Sequence, residues 1–208
     1  MQLILGTTNP AKQQMLRSAL APLGLVLRGA DELGLLQDVD ETGTTALENA
    51  RLKAQAYSTV AGRAVLSMDN ALYLDGLPLE RQPGVHTRRI PEHDGRATDD
   101  ELLRYYVALV EELGGRVDGY WEFGVCLVDD RGRFHETVLR SPRIFDVRQY
   151  AEGVGQRIPG YPLESIQLDP ASGRPIADLS AEEQDAWWRE MIGPALCAFV
   201  EAALAEGS

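Results

Sequence analysis

The chain has 208 residues, 44% of them hydrophobic and 25% charged, a composition that suits one globular domain and argues against wholesale disorder. Its 20 basic and 32 acidic residues leave a formal charge of −12, which disfavours a broad nucleic-acid surface because like charges repel a phosphate backbone. The apolar stretches fall short of the ~18–20 residues of a membrane span, the N-terminus lacks secretory-leader features, and the well-separated Cys126 and Cys197 suit a reducing cytoplasm.

In chain order, Leu3–Thr7 reads as a short buried strand. Asn9-Pro10 then opens a helix to about Leu20, with Asn9 as cap, Pro10 in the first helical position, and Met15, Leu16, Ala19 and Leu20 turned inward. Leu25–Leu27 suggests a second strand. Thr45-Ala46-Leu47-Glu48 is a capping box whose helix runs to about Val60, with Leu47, Ala50, Ala54 and Tyr57 on one face and Asn49 and Lys53 on another. Ala64–Met68 reads as a strand ending at Asp69-Asn70, and 76–97 as loop-rich. Thr98-Asp99-Asp100-Glu101 caps an amphipathic helix over Leu102–Leu113. Trp121–Val128 and Phe134–Leu139 flank a hairpin turn. Residues 151–175 look irregular, and Ser180 caps a last helix, broken near Gly193-Pro194 and resumed to about Ala205. The order predicts an α/β protein built on a mixed sheet, with no linker dividing residues 1–208 into independent domains.

Charge is distributed unevenly. Residues 1–30 carry Lys12, Arg17 and Arg28 and no acid, whereas 175–208 carry seven acids and only Arg189. Of the 20 basic residues only Lys12 and Lys53 are lysines. A compact ammonium suits a single phosphate oxygen, where guanidinium is a wide planar fork.

Three segments carry candidate chemistry. Thr7-Thr8-Asn9-Pro10-Ala11-Lys12 lies at a strand-to-helix turn, where helix N–H groups, hydroxyls and a lysine can bind an anion; an ordinary Asn-Pro cap is the plainer reading. Asp40-Glu41 precedes the capped helix that presents Lys53. These acids could hold a hard cation such as Mg²⁺ or simply favour the helix start. Asp69 closes a strand, where a carboxylate can hold a metal or take a proton from water, or merely form a turn.

Together these segments resemble the inosine/xanthosine triphosphate pyrophosphatase family. That family's Thr-x-Asn-x-x-Lys is met by Thr7, Asn9 and Lys12, and its Glu-Thr-Gly-x-Thr…Glu-Asn-Ala-x-x-Lys-Ala by Glu41 through Ala54. Its Asp-Asp-Ser-Gly falls on Met68-Asp69-Asn70-Ala71, the acid beyond it on Asp75, and its Pro-Gly-Val-Tyr-Ser-x-Arg on Pro83 through Arg89. Both lysines occupy the lysine positions of the first two of these motifs. The resemblance covers residues 1–89 and thins beyond them. The first Asp has become Met68, and two residues are inserted between Asp75 and Pro83. The late Gly-Phe-Gly-Tyr-Asp-Pro loop, which embraces the base, is reduced to Pro159-Gly160-Tyr161-Pro162. The expected late Lys is Gln184, and the purine-reading Ser-His-Arg gives way to Asp185-Ala186-Trp187-Trp188-Arg189.

The resemblance implies an elongated mixed sheet flanked by helices, in two lobes with a central cleft. It implies a homodimeric, cytoplasmic, Mg²⁺-dependent enzyme splitting a nucleoside triphosphate into monophosphate and pyrophosphate. Thr7, Thr8, Asn9, Lys12, Lys53 and Arg89 would contact phosphate. Glu41 and Asp69 would position the cation, with Asp69 and Lys53 taking part in catalysis. Tyr161 and Trp187 are candidates for stacking on a base, although adjacent helix residues diverge, so one of Trp187 and Trp188 is expected in the core and the other at the surface. His86, His93 and His135 lack metal-ligand spacing and read as structural or solvent-facing. With the phosphate end kept and the base end rewritten, base specificity is expected to differ from the family's. A non-catalytic nucleotide-binding scaffold and an enzyme retuned to a modified or pyrimidine nucleotide are the alternatives, and slow turnover would follow from the loss at Met68.

Overall fold

The structure is a computed structural model, and it describes residues 2–35, 39–91, 97–151 and 158–206. Among these residues the chain forms strands β1 (Gln2–Leu5), β2 (Val26–Gly29), β3 (Val65–Leu74), β4 (Arg116–Val128), β5 (Phe134–Asp146) and β6 (Gln167–Leu168). The helices are α1 (Pro10–Leu20), α2 (Ala46–Ala61), α3 (Asp99–Glu112), α4 (Ala181–Met191) and α5 (Gly193–Glu206). The sheet order is β2-β1-β3-β4-β5-β6. β1 runs parallel to β2 and β3, and β5 antiparallel to β6, so the sheet is mixed, as expected for this α/β class.

The chain forms two compact units. The first comprises Met1–Asn70, Glu122–Arg140 and Asp185–Ser208. Here β1 buries Leu3, Ile4 and Leu5, and α1 buries Met15, Leu16, Ala19 and Leu20, the stripe that its periodicity predicts. Both helix starts follow local sequence. The Asn9 side chain accepts the N–H groups of Ala11 and Lys12, and Thr45 and Glu48 form the reciprocal capping box of α2. On α2, Ala50, Ala54 and Tyr57 are buried; Leu47 is only half-buried, and Ala46 and Asn49 go inward instead. The parallel register sets Leu5 of β1 beside Leu66 of β3. Gly6 then donates to the Leu66 carbonyl at 2.8 Å, and Ser67 Oγ donates to the Gly6 carbonyl at 3.2 Å. The turn leaving β1 is thereby fastened beside the stretch of β3 that carries Asp69.

The second unit comprises Ala71–Trp121 and Ser141–Gln184. Helix α3 has the predicted capping box between Thr98 and Glu101. It packs Leu102, Leu103, Tyr106 and Val110 into a core shared with Leu72, Leu74, Phe145, Leu163 and Ile166.

β1 and β2 shift by one or two residues from the expected Leu3–Thr7 and Leu25–Leu27, and three strands run several residues longer than expected. β3 does not end at Asp69-Asn70 but continues to Leu74, so Asp69 is an interior strand residue rather than a turn former. β4 begins at Arg116 rather than Trp121, and β5 runs on to Asp146 rather than ending at Leu139. Within the stretch read as irregular, a 3₁₀ turn (Pro162–Ser165) leads into β6.

Candidate active site

The first unit concentrates the candidate residues. Lys12 lies in the first turn of α1, Lys53 midway along α2, and Asp69 inside β3. Lys12 Nζ donates to Asp69 Oδ1 at 2.9 Å, and Lys53 Nζ donates to the same oxygen at 3.1 Å. Lys53 Nζ also reaches Glu41 Oε1 at 2.8 Å. The three side chains at the centre are largely withdrawn from water, at 14% exposure for Lys12, 13% for Lys53 and 8% for Asp69. Glu41, at 46%, faces solvent.

Asp69 can stay charged inside a strand because of this pairing. Burial alone would raise its pKa, but the two ammonium groups outweigh burial and hold the carboxyl below its ordinary value. Burial likewise opposes the charge on Lys53, and the attraction of Asp69 and Glu41 overcomes it, leaving this lysine above its ordinary value. Lys12 goes the other way. Burial dominates, Asp69 offsets it only in part, the neighbouring Lys53 adds repulsion, and the pKa falls. Lys12 also sits in the positive first turn of a helix that has no acid there. Two cations are thus crowded onto one anion, an arrangement that an arriving polyanion relieves. Each ammonium has three N–H donors; Lys12 has used one and Lys53 two, so donors remain for such a ligand.

The loop carrying Glu41 is fixed by Asn49, a buried residue whose Oδ1 accepts the Gly43 N–H at 2.8 Å. That residue stands in the recognised motif, but its neighbours give no hint of the task. The turn before α1 is fixed from behind by Gln13, whose side chain donates to the Thr7 carbonyl at 2.9 Å. Local sequence offered no signal for Gln13, because its polar partners come from other elements. Within the turn, Thr7 Oγ1 accepts from Asn9 N at 3.2 Å, and Thr8 is exposed. The N–H groups of Ala11 and Lys12, expected to face a ligand, are taken by the Asn9 side chain.

The donor set can be tested against a divalent cation. Among the described residues no group of three His, Cys, Asp or Glu side chains could hold a metal by itself. Mg²⁺ commonly uses only one or two carboxylates and takes its remaining ligands from water and substrate phosphates. Glu41 and Asp69, both within hydrogen-bonding reach of one ammonium, fit that pattern, and both lysine contacts on Asp69 fall on Oδ1, leaving Oδ2.

The remaining candidates belong to other segments of the chain. Arg89 is exposed on a turn of the second unit, its N–H donating to the His86 carbonyl. Tyr161, half-buried, precedes the 3₁₀ turn Pro162–Ser165 in that unit. Trp187 is corrected: the expectation of one tryptophan in the core and one at the surface fails. Trp187 and Trp188 are both buried in the first unit and pack edge to face, with ring centroids 4.4 Å apart, so Trp187 has no open face for a base. Asp185, beside them, accepts from Gln14 at 2.9 Å and Ser18 at 2.6 Å on α1. Gln184 donates to the Leu179 carbonyl at 2.9 Å, supporting the turn before α4. The segment aligned with the family's purine-reading residues therefore serves packing here. His86 is exposed, His135 pairs with Asp129 at 3.3 Å, and His93 lies outside the described residues.

Fold and site together describe an α/β protein in which two lysines and two carboxylates meet at the junction of β1, α1, α2 and β3. The chain belongs to the Ham1 family, whose model matches residues 3–134. It is 31% identical over 209 residues to the dITP/XTP pyrophosphatase of Nitratidesulfovibrio vulgaris, covering 96% of this chain and 94% of that one. It is also 31% identical over 211 residues to the dITP/XTP pyrophosphatase of Thermus thermophilus, covering 97% and 91%. The fold is similar to that of a HAM1 protein from Coxiella burnetii, with a TM-score of 0.71 at 21% identity, covering 97% of this chain and 99% of that one.

Proposed function

We propose that the protein is a Mg²⁺-dependent nucleoside triphosphate pyrophosphohydrolase, releasing a nucleoside monophosphate and pyrophosphate. The carrying observation is the meeting of Lys12 and Lys53 on one oxygen of Asp69. In this reading the triphosphate takes over the donors of both lysines, with Thr7, Thr8 and Asn9 as further phosphate contacts. Asp69, freed from neutralising two ammonium groups, orients the attacking water, and Glu41 and Asp69 hold the cation. Bound Mg²⁺ would neutralise phosphate charge during the displacement. The work of the side chains is positioning and charge stabilisation, which suffices for phosphoryl chemistry. The dITP/XTP pyrophosphatase activity of the relatives supports this reaction class. The assembly is proposed as a homodimer, by resemblance.

Base selection is proposed to differ from that of the relatives. Support comes from Asp185, Trp187 and Trp188, which are committed to packing where the family reads a purine. Tyr161 remains the stacking candidate. A second reading, a nucleotide-binding scaffold without turnover, is favoured by one observation: Met68 replaces an acid of the family motif and is only 1% exposed. Pyrophosphate release from a panel of purine, pyrimidine and modified nucleoside triphosphates with Mg²⁺ tests these readings. Turnover of at least one triphosphate is expected. Binding with no turnover of any would select the scaffold, and turnover confined to one unusual base would select a retuned enzyme.

A further inference from the structure

Gln13 follows Lys12 on α1 and is only 7% exposed. Its amide nitrogen carries two N–H groups, and each has an acceptor: the Thr7 carbonyl at 2.9 Å and Asp31 Oδ1 at 2.5 Å. A carbonyl and a carboxylate can only accept, so the orientation of the amide is forced. Gly29, at the end of β2, makes room for this pair. A Cβ there would lie 2.5 Å from Gln13 Oε1 and 2.6 Å from Asp31 Oδ1.

The consequence lies one peptide away. In a trans peptide the C=O of one residue and the N–H of the next point in opposite directions, and no cis peptide occurs among the described residues. Gln13 anchors the Thr7 carbonyl inward, which turns the Thr8 N–H outward on an exposed residue. The other backbone donors of the turn are occupied. Thr7 N–H goes to the Leu5 carbonyl, Asn9 N–H to Thr7 Oγ1, Ala11 and Lys12 N–H to Asn9 Oδ1, and Gln13 N–H to the Asn9 carbonyl; Pro10 has none. Among the described residues, Thr8 alone in this run keeps a backbone donor to give.

We propose that Gln13, itself oriented by Asp31, is a positioning residue. It aims the Thr8 N–H as a hydrogen-bond donor to the polyphosphate that Lys12 and Lys53 bind. This rests on the phosphate-binding reading above and adds one backbone donor and its support to it.

The probe is inorganic tripolyphosphate, followed by calorimetry and by the amide signal of Thr8 in ¹⁵N-labelled protein. In the wild type the Thr8 amide proton moves downfield on saturation. Gln13→Met, of similar length but without donors, should bind about tenfold more weakly and should lose most of that downfield movement. Asp31→Ala should act in the same direction, and adding it to Gln13→Met should weaken binding no further. Asp31→Asn, which keeps an acceptor for the amide, should bind within about twofold of wild type. Should Gln13→Met fail to fold, the two Asp31 variants carry the test. An unchanged Thr8 movement in Gln13→Met, or in Asp31→Ala where the former does not fold, overturns the proposal. Lys12→Ala separates the two levels. If it binds tripolyphosphate as the wild type does, the phosphate reading itself fails; if it loses binding while Gln13→Met keeps it, the role of Gln13 alone is lost.

Discussion

Lys12 and Lys53, from two different helices, place their ammonium groups on the same oxygen of Asp69, at 2.9 and 3.1 Å. Two cations held this close repel each other, and one carboxylate must satisfy both. Such a site is poised for a more highly charged anion. Each lysine should therefore matter for polyphosphate binding far more than a surface lysine does. Charge-assisted hydrogen bonds contribute roughly 1.5–3 kcal/mol each, so Lys12→Ala and Lys53→Ala should each weaken tripolyphosphate binding by at least 10- to 100-fold, on the order of that range. Calorimetry at moderate salt measures it.

Asp69→Asn separates stability from turnover. The substitution leaves two buried ammonium groups without their shared anion, at an expected cost of about 3 kcal/mol. Added tripolyphosphate should restore the lost stability, because it supplies the missing negative charge. Hydrolysis should not recover, since the group proposed to orient water is gone, and the rate should stay down by about 10²–10⁴-fold. Thermal unfolding with and without tripolyphosphate, run beside a turnover assay, checks both halves. Full activity in Asp69→Asn would remove Asp69 from the mechanism.

How much of this was legible follows from how local each feature is. The caps at Asn9, Thr45 and Thr98 and the buried stripe of α1 depend on residues within one or two turns, and the sequence shows them. The two lysines could be singled out because the chain otherwise uses arginine. What local sequence could not show was that β3 runs on through Asp69. A carboxylate followed by Asn70 looks like a strand end unless one knows that Lys12 and Lys53 neutralise it from other elements. The same holds for Trp187, which gives no sign that Trp188 and the surrounding core close over it. Gln13, Asn49 and Asp185 are polar residues whose partners lie elsewhere in the chain, so a local reading leaves their tasks open.

Helix α2, which delivers Lys53, rests directly on the backbone of β4. A Cβ added at Gly124 would lie 2.2 Å from both Ala46 C and Leu47 N, a distance that only displacement of the helix start can relieve. Gly124→Ala should therefore lower stability by about 2–3 kcal/mol, at the upper end of overpacking costs. It should also weaken tripolyphosphate binding, although residue 124 carries no chemistry. Denaturant melts and calorimetry on the same preparation test the coupling. A variant that loses stability while binding tripolyphosphate unchanged would show that Lys53 does not depend on this contact.

The second unit holds a buried acid whose ionisation should be visible in stability. Glu164 is 3% exposed, and burial pushes its carboxyl up to about 7, the nearby Arg143 guanidinium only partly opposing that rise. Its Oε2 has no hydrogen-bond partner among the described residues. Arg143 is itself buried and donates to Gln167 at 3.1 Å. Because the folded-state value lies above the ordinary value of 4.5, the folded protein holds this proton more tightly than the unfolded chain. The contribution is fully present below the unfolded value and is lost as pH rises from there through about 7. Glu164→Gln mimics the protonated acid and should remove this slope. At pH 8 the variant should be more stable than the wild type by about 3 kcal/mol, the size of the lost proton linkage, with the difference shrinking to near zero at pH 4.5. Urea melts across that interval measure it. Parallel pH profiles for the two proteins would mean that Glu164 ionises without cost where it sits.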